Sequence, residues 1–277
     1  MTLFNYLKSM KVHPTGFLKL CVDVRVNPFQ AVLNLTILAI TALSIACSGN
    51  AASSSSGSMT AVQNTFEGEI TSKTYLLDNG IMRATYKGNL SRTETEATIS
   101  LLKSTQKYKT IEITDYSTMT STTLDPQEKS YTVMNYGEVA KRVANQSSSP
   151  VVSPNITSTG QTETIAGRVC RHWIARVMGM EIDSCMAQGL NIPIGRGKEA
   201  ALDLKSLMKS SEVNPEFAKF IEGGAFPLKT SVKNDHGQWE KLTEVVSIEQ
   251  KAVDDSIFTV PADYTKKKAP VIPDLKR

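Results

Sequence analysis

The sequence predicts a mainly β (α+β) domain, built on a curved antiparallel sheet or incomplete β-barrel with two short helices as a lid. Three observations lead to this prediction. Apolar and polar residues alternate with period two over much of residues 63–265, turn-forming residues separate these runs, and only two short segments show helical spacing. Alternation with one wet face is typical of an antiparallel sheet that is covered on one side only.

The first strands are predicted from the start of this alternation. It begins at Phe66, and residues 78–80 (Asp-Asn-Gly) are typical of a tight turn that leads into a return strand. Residues 107–114 and 130–136 alternate in the same way and predict two more strands. We therefore expect the sheet to begin with an antiparallel hairpin.

The second half of the domain is predicted to follow a loop. Residues 146–162 are polar and contain two prolines, which favours a loop between two halves. Residues 163–178 and 180–187 then form a predicted hairpin, and strands return at 226–232 and 239–250. This gives roughly nine strands in all.

Two segments show helical spacing. Residues 198–209 place apolar side chains at intervals of three and four. Asn214, Pro215 and Glu216 are typical of an N-cap, a first helical position and an acidic first turn, and residues 223–224 (Gly-Gly) end this second helix. A sheet of this size must bury its apolar face, and the two helices are the cover that the sequence offers.

The chain is predicted to divide into four parts. These are an export signal (1–47), a Ser/Gly-rich tether (48–62), a single β-rich domain (63–265) and a basic, Pro-containing tail (266–277). Residues 31–46 hold no charged residue, and four Lys or Arg residues precede them against one Asp. An apolar segment behind a positive leader is typical of an export signal.

Cys47 is the predicted site of lipid attachment. Residues 43–47 (Leu-Ser-Ile-Ala-Cys) resemble the lipobox of bacterial lipoproteins. An uncleaved signal anchor and ordinary cleaved secretion are the alternatives, and all three export the rest of the chain. We expect a protein of the bacterial cell envelope at its periplasmic face, anchored to the outer membrane through lipid.

The cysteine and charge content agree with export. Of four cysteines, Cys21 lies in the leader, which leaves Cys170 and Cys185 as a predicted disulfide beside the lipidated Cys47. A redox or metal site is the alternative, but their spacing is not that of a CxxC pair or a zinc motif. The leader holds 4 of the 31 Lys and Arg residues and 1 of the 27 Asp and Glu residues, so the remaining charges nearly balance. We expect no nucleic-acid partner.

The sequence shows no catalytic motif, and we predict no enzyme, no cofactor and no metal site. His172 and His236 are the histidines beyond the leader. His236 falls in a predicted hairpin tip, where it would be solvated. His172 is predicted to face Asp183 across a hairpin, as a surface cross-strand pair or as an orienting acid–base pair.

An apolar cavity is the predicted binding site, with core packing as the alternative role for the same side chains. The candidate lining residues are aromatic or thioether side chains from predicted strands: Tyr75, Tyr86, Tyr131, Met134 and Trp173.

Several short motifs resemble a known family. They are Phe-x-Gly-x-Ile at 66–70, Arg83 and Arg92, an Asp-Pro turn followed by Ser-Tyr at 125–131, Thr-Ile-Ala-Gly-Arg-Val-Cys at 164–170, and Asp-Ser-Ile-Phe-x-Val-Pro-x-x-Tyr at 255–264. Together they resemble bacterial lipoproteins of unknown function, whose fold is similar to that of the periplasmic Lol-type lipoprotein carriers. The resemblance implies an incomplete β-barrel with helices closing one mouth and a cavity that accommodates acyl chains. It does not imply that this chain carries lipoproteins.

Three functions are open at this point. The first is a lipid-anchored envelope protein that binds an apolar or acyl ligand, such as a lipid or a lipoprotein, in a half-barrel. The second is a structural or interaction lipoprotein without a small ligand, and the third is an unrecognised hydrolase.

Overall fold

A computed structural model describes residues 65–75, 78–101, 104–136, 138, 155–177, 179–192 and 214–269. The predicted export signal, the tether, the predicted helix at 198–209 and the last residues of the tail lie outside this part of the chain. Within it, no helix has both the length and the hydropathy of a membrane span.

The described chain forms one sheet of twelve strands in the order β12-β6-β5-β4-β3-β2-β1-β11-β10-β9-β8-β7. The strands are β1 (Gly68–Thr74), β2 (Asp78–Lys87), β3 (Leu90–Leu101), β4 (Ser104–Asp115), β5 (Thr120–Asp125), β6 (Ser130–Asn135), β7 (Asn155–Ile165), β8 (Arg168–Val177), β9 (Met180–Ala187), β10 (Phe226–Lys233), β11 (Trp239–Gln250) and β12 (Thr265–Lys266). β12 pairs with β6 in parallel, and the other neighbours pair antiparallel. The prediction of a mainly β, unclosed sheet is confirmed.

Two local predictions need correction. Residues 155–162, which we expected in a loop, belong to the edge strand β7, whose side chains are mostly exposed on both faces. Such a strand lacks the alternation that reveals a half-buried one, so its sequence looks like a loop. Gly80 pairs with Thr74, so residues 78–80 lie in strand β2 and not in a turn.

The register places apolar residues, threonines and Glu112 on one face of the sheet. Residues directly opposite each other share a face, and such a row crosses strands β1 to β6: Ile70, Ala84, Thr93, Glu112, Thr123 and Thr132. We call the face with this row the inner face and the opposite one the outer face.

The inner face carries the largest core cluster, which is formed by strands β1, β2 and β7 to β11. Phe66, Ile70, Tyr86, Leu228 and the disulfide-bonded cysteines belong to it, together with Leu190 and Ile192, which follow β9. The rings of Phe66 and Tyr86 meet edge to face, with centroids 6.1 Å apart.

The outer face is covered at both ends of the sheet, so the expectation that one face is wet throughout was wrong. At one end the helix α1 (Pro215–Glu222) packs Phe217 and Ile221 against Trp173 and Met186. At the other end the C-terminal segment, residues 251–266, packs on strands β4 and β5. Because the apolar residues of β4 and β5 point outward, this second core lies on the outer face.

The predicted second helix is confirmed as α1. The Asn214 side chain accepts a hydrogen bond from the Glu216 backbone N–H at 2.9 Å, and Pro215 occupies the first turn. We expected the helices to act as a lid over the buried face of the sheet. Instead, α1 contacts the outer face, where the Trp173 and Phe217 rings lie 4.9 Å apart.

The C-terminal segment contains a short 3-10 helix (Asp255–Phe258), with Phe258 buried against β4 and β5. Arg92 on β3 holds this segment by donating a hydrogen bond from Nη1 to the Ile257 carbonyl at 2.9 Å. The segment ends in β12, so Lys266, which we placed in the tail, is part of the sheet.

Candidate functional site

The inner face of strands β7 to β10 holds the disulfide. Cys170 on β8 and Cys185 on β9 are bonded, with Cα atoms 5.3 Å apart, and both are almost fully buried. The bond connects neighbouring strands of one hairpin, as predicted. A bonded sulfur is neither a nucleophile nor a thiolate ligand, so in this state the cysteines are structural.

His172 lies beside the disulfide and contacts Asp183, but in another register than expected. Val177 pairs with Met180 at the hairpin end, which places His172 opposite Cys185 and Asp183 opposite Ile174. The His172 ring still reaches Asp183 diagonally, with Nδ1 2.9 Å from Oδ2. The predicted contact is therefore confirmed, and the predicted register was two residues off.

Two further residues complete a charged cluster, which we define as Glu163, His172, Asp183 and Lys229. His172 Nε2 lies 3.3 Å from Glu163 Oε2, and the Lys229 ammonium donates to the same carboxylate. The side chains of His172, Lys229 and Asp183 are 11%, 17% and 19% exposed, against 37% for Glu163. Glu163 is thus the open side of the cluster.

The cluster also shifts the titration of its most exposed member. The hydrogen bond and the charge of Lys229, helped by His172, lower the pKa of Glu163, although partial burial acts in the opposite direction. Glu163 is therefore held ionised. Donor atoms of Glu163, His172 and Cys185 all lie within 4.8 Å of one another, which brings carboxylate, imidazole and sulfur to one place.

A second set of hydrogen-bonded polar side chains lies on the inner face of strands β3 to β6. Glu112 accepts hydrogen bonds from the Ser121 hydroxyl at 2.5 Å and from the Tyr136 hydroxyl at 2.6 Å. Nearby, the Ser91 hydroxyl donates to the Tyr116 oxygen at 3.2 Å. Ser91 and Ser121 are buried, so these hydroxyls belong to an interior network.

Burial dominates the electrostatics of this hydroxyl network. It raises the pKa of Tyr136, and the neighbouring Glu112 carboxylate raises it further. Burial likewise raises the pKa of Tyr86. Both phenols are therefore neutral at physiological pH, and that of Tyr136 donates its hydrogen bond to Glu112.

Sequence reasoning missed Glu112, Glu163 and Lys229. Hydroxyl and charged residues on one side of an alternating strand were assigned to a solvated face. The signal that could have found the network is the run of Thr and Ser at every second position of neighbouring strands. The partnership of Glu163 with Lys229 leaves no such signal, because it joins strands that are distant in the sequence.

The five predicted cavity residues do not form one surface. Tyr75 is 47% exposed and donates a hydrogen bond to Glu244, Trp173 is buried under α1, and Tyr131 packs beside the C-terminal segment. Tyr86 belongs to the inner core, and Met134 lies opposite Ser121 on the same face. Of the five residues, only Tyr86 and Met134 belong to the inner face.

An open groove of about 600 Å³ lies on the outer face between the C-terminal segment and strands β1 to β3. Its polar lining includes Glu69, Arg92 and Glu94, and Arg92 pairs with Glu94 at 3.0 Å. Because Arg92 also holds the Ile257 carbonyl, its donors are committed to structural contacts.

Comparison with known proteins places the chain in a family. No curated protein matches it. A solved structure described as "Structure of PNGF-II in C2 space group" is 14% identical over 74% of this chain, with a TM-score of 0.37, and the match spans 31% of that chain. The family described as "Domain of unknown function (DUF4412)" matches residues 66–264, which is most of the chain and nearly all of the sheet. The chain belongs to the DUF4412 family.

Proposed function

We propose that this protein is an exported, lipid-anchored component of the bacterial cell envelope, whose inner face binds an acylated ligand without catalysing a reaction. The Cys170–Cys185 disulfide is the observation that carries the export part of this proposal. Disulfides form and persist in oxidising compartments and are rare in the cytosol. The lipobox-like residues 43–47 and the tether at 48–62 supply the anchor and a spacer between membrane and sheet.

The anchor is tested by the intact mass of the protein extracted from membranes. We expect a chain that begins at Cys47 and carries acyl groups. Cys47→Ser should abolish the acylated mass, whereas Cys21→Ser, which changes a cysteine within the leader, should leave it unchanged. A mass that retains residues 1–46 would contradict lipid anchoring and favour the uncleaved signal anchor.

The chemistry of the inner face supports a ligand with an apolar and a polar part. Phe66, Ile70 and Tyr86 form its apolar centre. The hydroxyl network around Glu112 lies to one side, and the charged cluster lies to the other. An acyl chain fits the apolar centre, and a polar headgroup can hydrogen-bond to the flanking hydroxyls. The resemblance to acyl-binding carriers of similar fold supports the same assignment.

Ligand binding is tested with a photoreactive fatty acid added to the membrane-extracted protein. We expect saturable labelling at inner-face positions of β1, β2 and β10, which excess unlabelled fatty acid suppresses. Labelling confined to the outer face, or labelling that does not saturate, would contradict an acyl site on the inner face.

One observation favours the alternative of an interaction protein without a small ligand. Leu190 and Ile192 pack into the inner core and are almost fully buried, so side chains of the protein itself fill part of this face. In that case the sheet would be a rigid platform for an envelope partner. Crosslinking that repeatedly recovers one protein, with no lipid in the extracted sample, would favour this alternative.

A further inference from the structure

The disulfide lies among side chains that are metal ligands in other proteins. We propose that opening the Cys170–Cys185 bond converts this part of the inner face into a zinc site, with the two thiolates, His172 and Glu163 as ligands. The protein would then have two exclusive states, an oxidised state closed by the disulfide and a reduced state closed by the metal. This inference is independent of the lipid anchor and of the acyl ligand.

The geometry brings the four donors together before any metal binds. Donor atoms of Glu163, His172 and Cys185 lie within 4.8 Å of one another, and the Cys170 sulfur is bonded to that of Cys185. Tetrahedral zinc holds sulfur at ~2.3 Å and nitrogen or oxygen at ~2.0–2.2 Å, so its ligand atoms lie roughly 3–4 Å apart. To form the site, the donor atoms of Glu163, His172 and Cys185 must therefore close by about 1 Å. The two sulfurs, which are bonded in the oxidised state, must instead move apart once the disulfide is reduced.

Asp183 prepares His172 for this role. Its carboxylate lies 2.9 Å from Nδ1, where it accepts the ring N–H. When a metal takes the place of a proton on Nε2, the ring N–H stays on Nδ1 and the Nε2 lone pair is directed to the side where Glu163 lies. A carboxylate behind a ligating histidine is the usual arrangement at zinc sites, where it fixes the tautomer and the orientation of the ring. Asp183 is thus a positioning residue rather than a ligand.

The charge balance favours a divalent cation that binds sulfur. Two thiolates and the Glu163 carboxylate carry three negative charges, of which zinc neutralises two and Lys229 can offset the third. Thiolate and imidazole ligands select zinc over magnesium and calcium, which prefer oxygen. In the oxidised state the sulfurs are not thiolates, and Lys229 pairs with Glu163.

The conversion requires a reductant, for which a dithiol is sufficient. The dithiol transfers two electrons and two protons to the protein disulfide, which yields two cysteine thiols and the oxidised, disulfide form of the reductant. Zinc binding then releases one proton from each thiol to solvent as the two zinc–sulfur bonds form. A small-molecule disulfide reverses the change: it accepts two electrons from the two thiolates and is itself reduced to two thiols, while the Cys170–Cys185 bond forms again and Zn²⁺ is released.

The test uses the full chain, reduced anaerobically with a phosphine and titrated with cobalt(II) as a spectroscopic substitute for zinc. We expect one cobalt per chain, with the visible absorption of a tetrahedral thiolate site, and displacement of cobalt by zinc. The oxidised protein should show no such absorption. His172→Ala should abolish the tetrahedral spectrum, and Asp183→Asn should weaken zinc binding roughly 10–100-fold.

His236→Ala is the matched control, because His236 lies exposed in the turn between β10 and β11 and should not affect the titration. Circular dichroism should show that the reduced, zinc-bound chain keeps its β structure. The proposal is overturned if reduced protein binds no stoichiometric cobalt, or if His172→Ala and His236→Ala bind alike. It is also overturned if reduction unfolds the sheet and zinc does not restore it.

Discussion

The Lys229 ammonium on β10 pairs with the Glu163 carboxylate on β7, across the two strands that lie between them in the sheet. Three strand spacings span ~14 Å in a flat sheet. A direct contact between these side chains therefore requires the sheet to curl toward its inner face at this end. The edge strand β7 is hydrogen-bonded to β8, and this ion pair connects it in addition to the more central strand β10.

This ion pair predicts a pH-dependent contribution to stability. The pKa of Glu163 is lowered in the folded state, so the contribution is present above the unfolded carboxyl pKa of about 4.3 and is lost as the pH falls through the lower folded value. Lys229→Met should lower the free energy of unfolding at pH 7 by on the order of 1 kcal/mol, because Glu163 is partly exposed. Urea denaturation should show this difference shrinking between about pH 6 and pH 3.

Lys266→Met is the matched control for that series, since Lys266 is exposed on the two-residue edge strand β12. Its free energy of unfolding should follow that of the unchanged protein at every pH. If Lys229→Met lowers the free energy of unfolding by the same amount at every pH, Lys229 stabilises the protein through packing and not through its charge.

Removing the disulfide should lower the free energy of unfolding by more than Lys229→Met does, and by the same amount at every pH. Cys170→Ala with Cys185→Ala releases a loop whose ends are 15 residues apart, and the chain-entropy model assigns about 3 kcal/mol to such a loop. The urea midpoint should fall accordingly, whereas Cys21→Ala should leave it unchanged. An unchanged midpoint in the double variant would show that the bond does not stabilise the sheet.

Replacing each of the two tryptophans by alanine should lower the stability of the protein by very different amounts. Trp173 is 1% exposed under α1, and Trp239 is 42% exposed. Trp173→Ala should cost roughly 3–5 kcal/mol by leaving a large void, whereas Trp239→Ala should cost about 1 kcal/mol or less. Trp173→Phe should be mild, because the Trp173 N–H has no hydrogen-bond partner among the described residues.

Fluorescence checks the same assignment without relying on stability. With Trp239 replaced by Phe, the remaining emission should be blue-shifted and protected from a water-soluble quencher. With Trp173 replaced by Phe, it should be red-shifted and readily quenched. The reverse pattern would contradict the packing of α1 on the outer face.

The buried phenols predict how the protein responds to alkali. The pKa values of Tyr86 and Tyr136 are raised in the folded state, so their contribution to stability is intact below the unfolded tyrosine pKa of about 10 and is lost as the pH rises above it. Tyrosinate absorbance should therefore rise in two stages, the second together with the loss of β circular dichroism. Tyr136→Phe should reduce the second stage; complete ionisation in a still-folded protein would contradict the buried network.

The features that could be predicted from the sequence are those set by residues that lie close together along the chain. The helix α1 begins at Asn214 and Pro215 because a cap and a proline act within one turn. The β8–β9 hairpin and its disulfide depend on residues 15 apart in one supersecondary unit. Residues 155–162 of strand β7 were predicted as a loop, because an edge strand whose side chains are mostly exposed on both faces lacks the alternation of a half-buried strand.

The sequence by itself determined that this is a β-rich chain with one internal disulfide and one capped helix, and it predicts an exported, lipid-anchored protein. Only the tertiary structure decided which face is buried at each end of the sheet. Only the tertiary structure places Glu163 in contact with both His172 and Lys229. It also places Asp183 diagonally from His172 and not directly opposite it. The physical reason is that the alternation of apolar and polar residues assigns each residue only to one of two faces. The register of the strands, the curvature of the sheet and the segments that pack on each face depend on contacts between residues that are distant in the sequence.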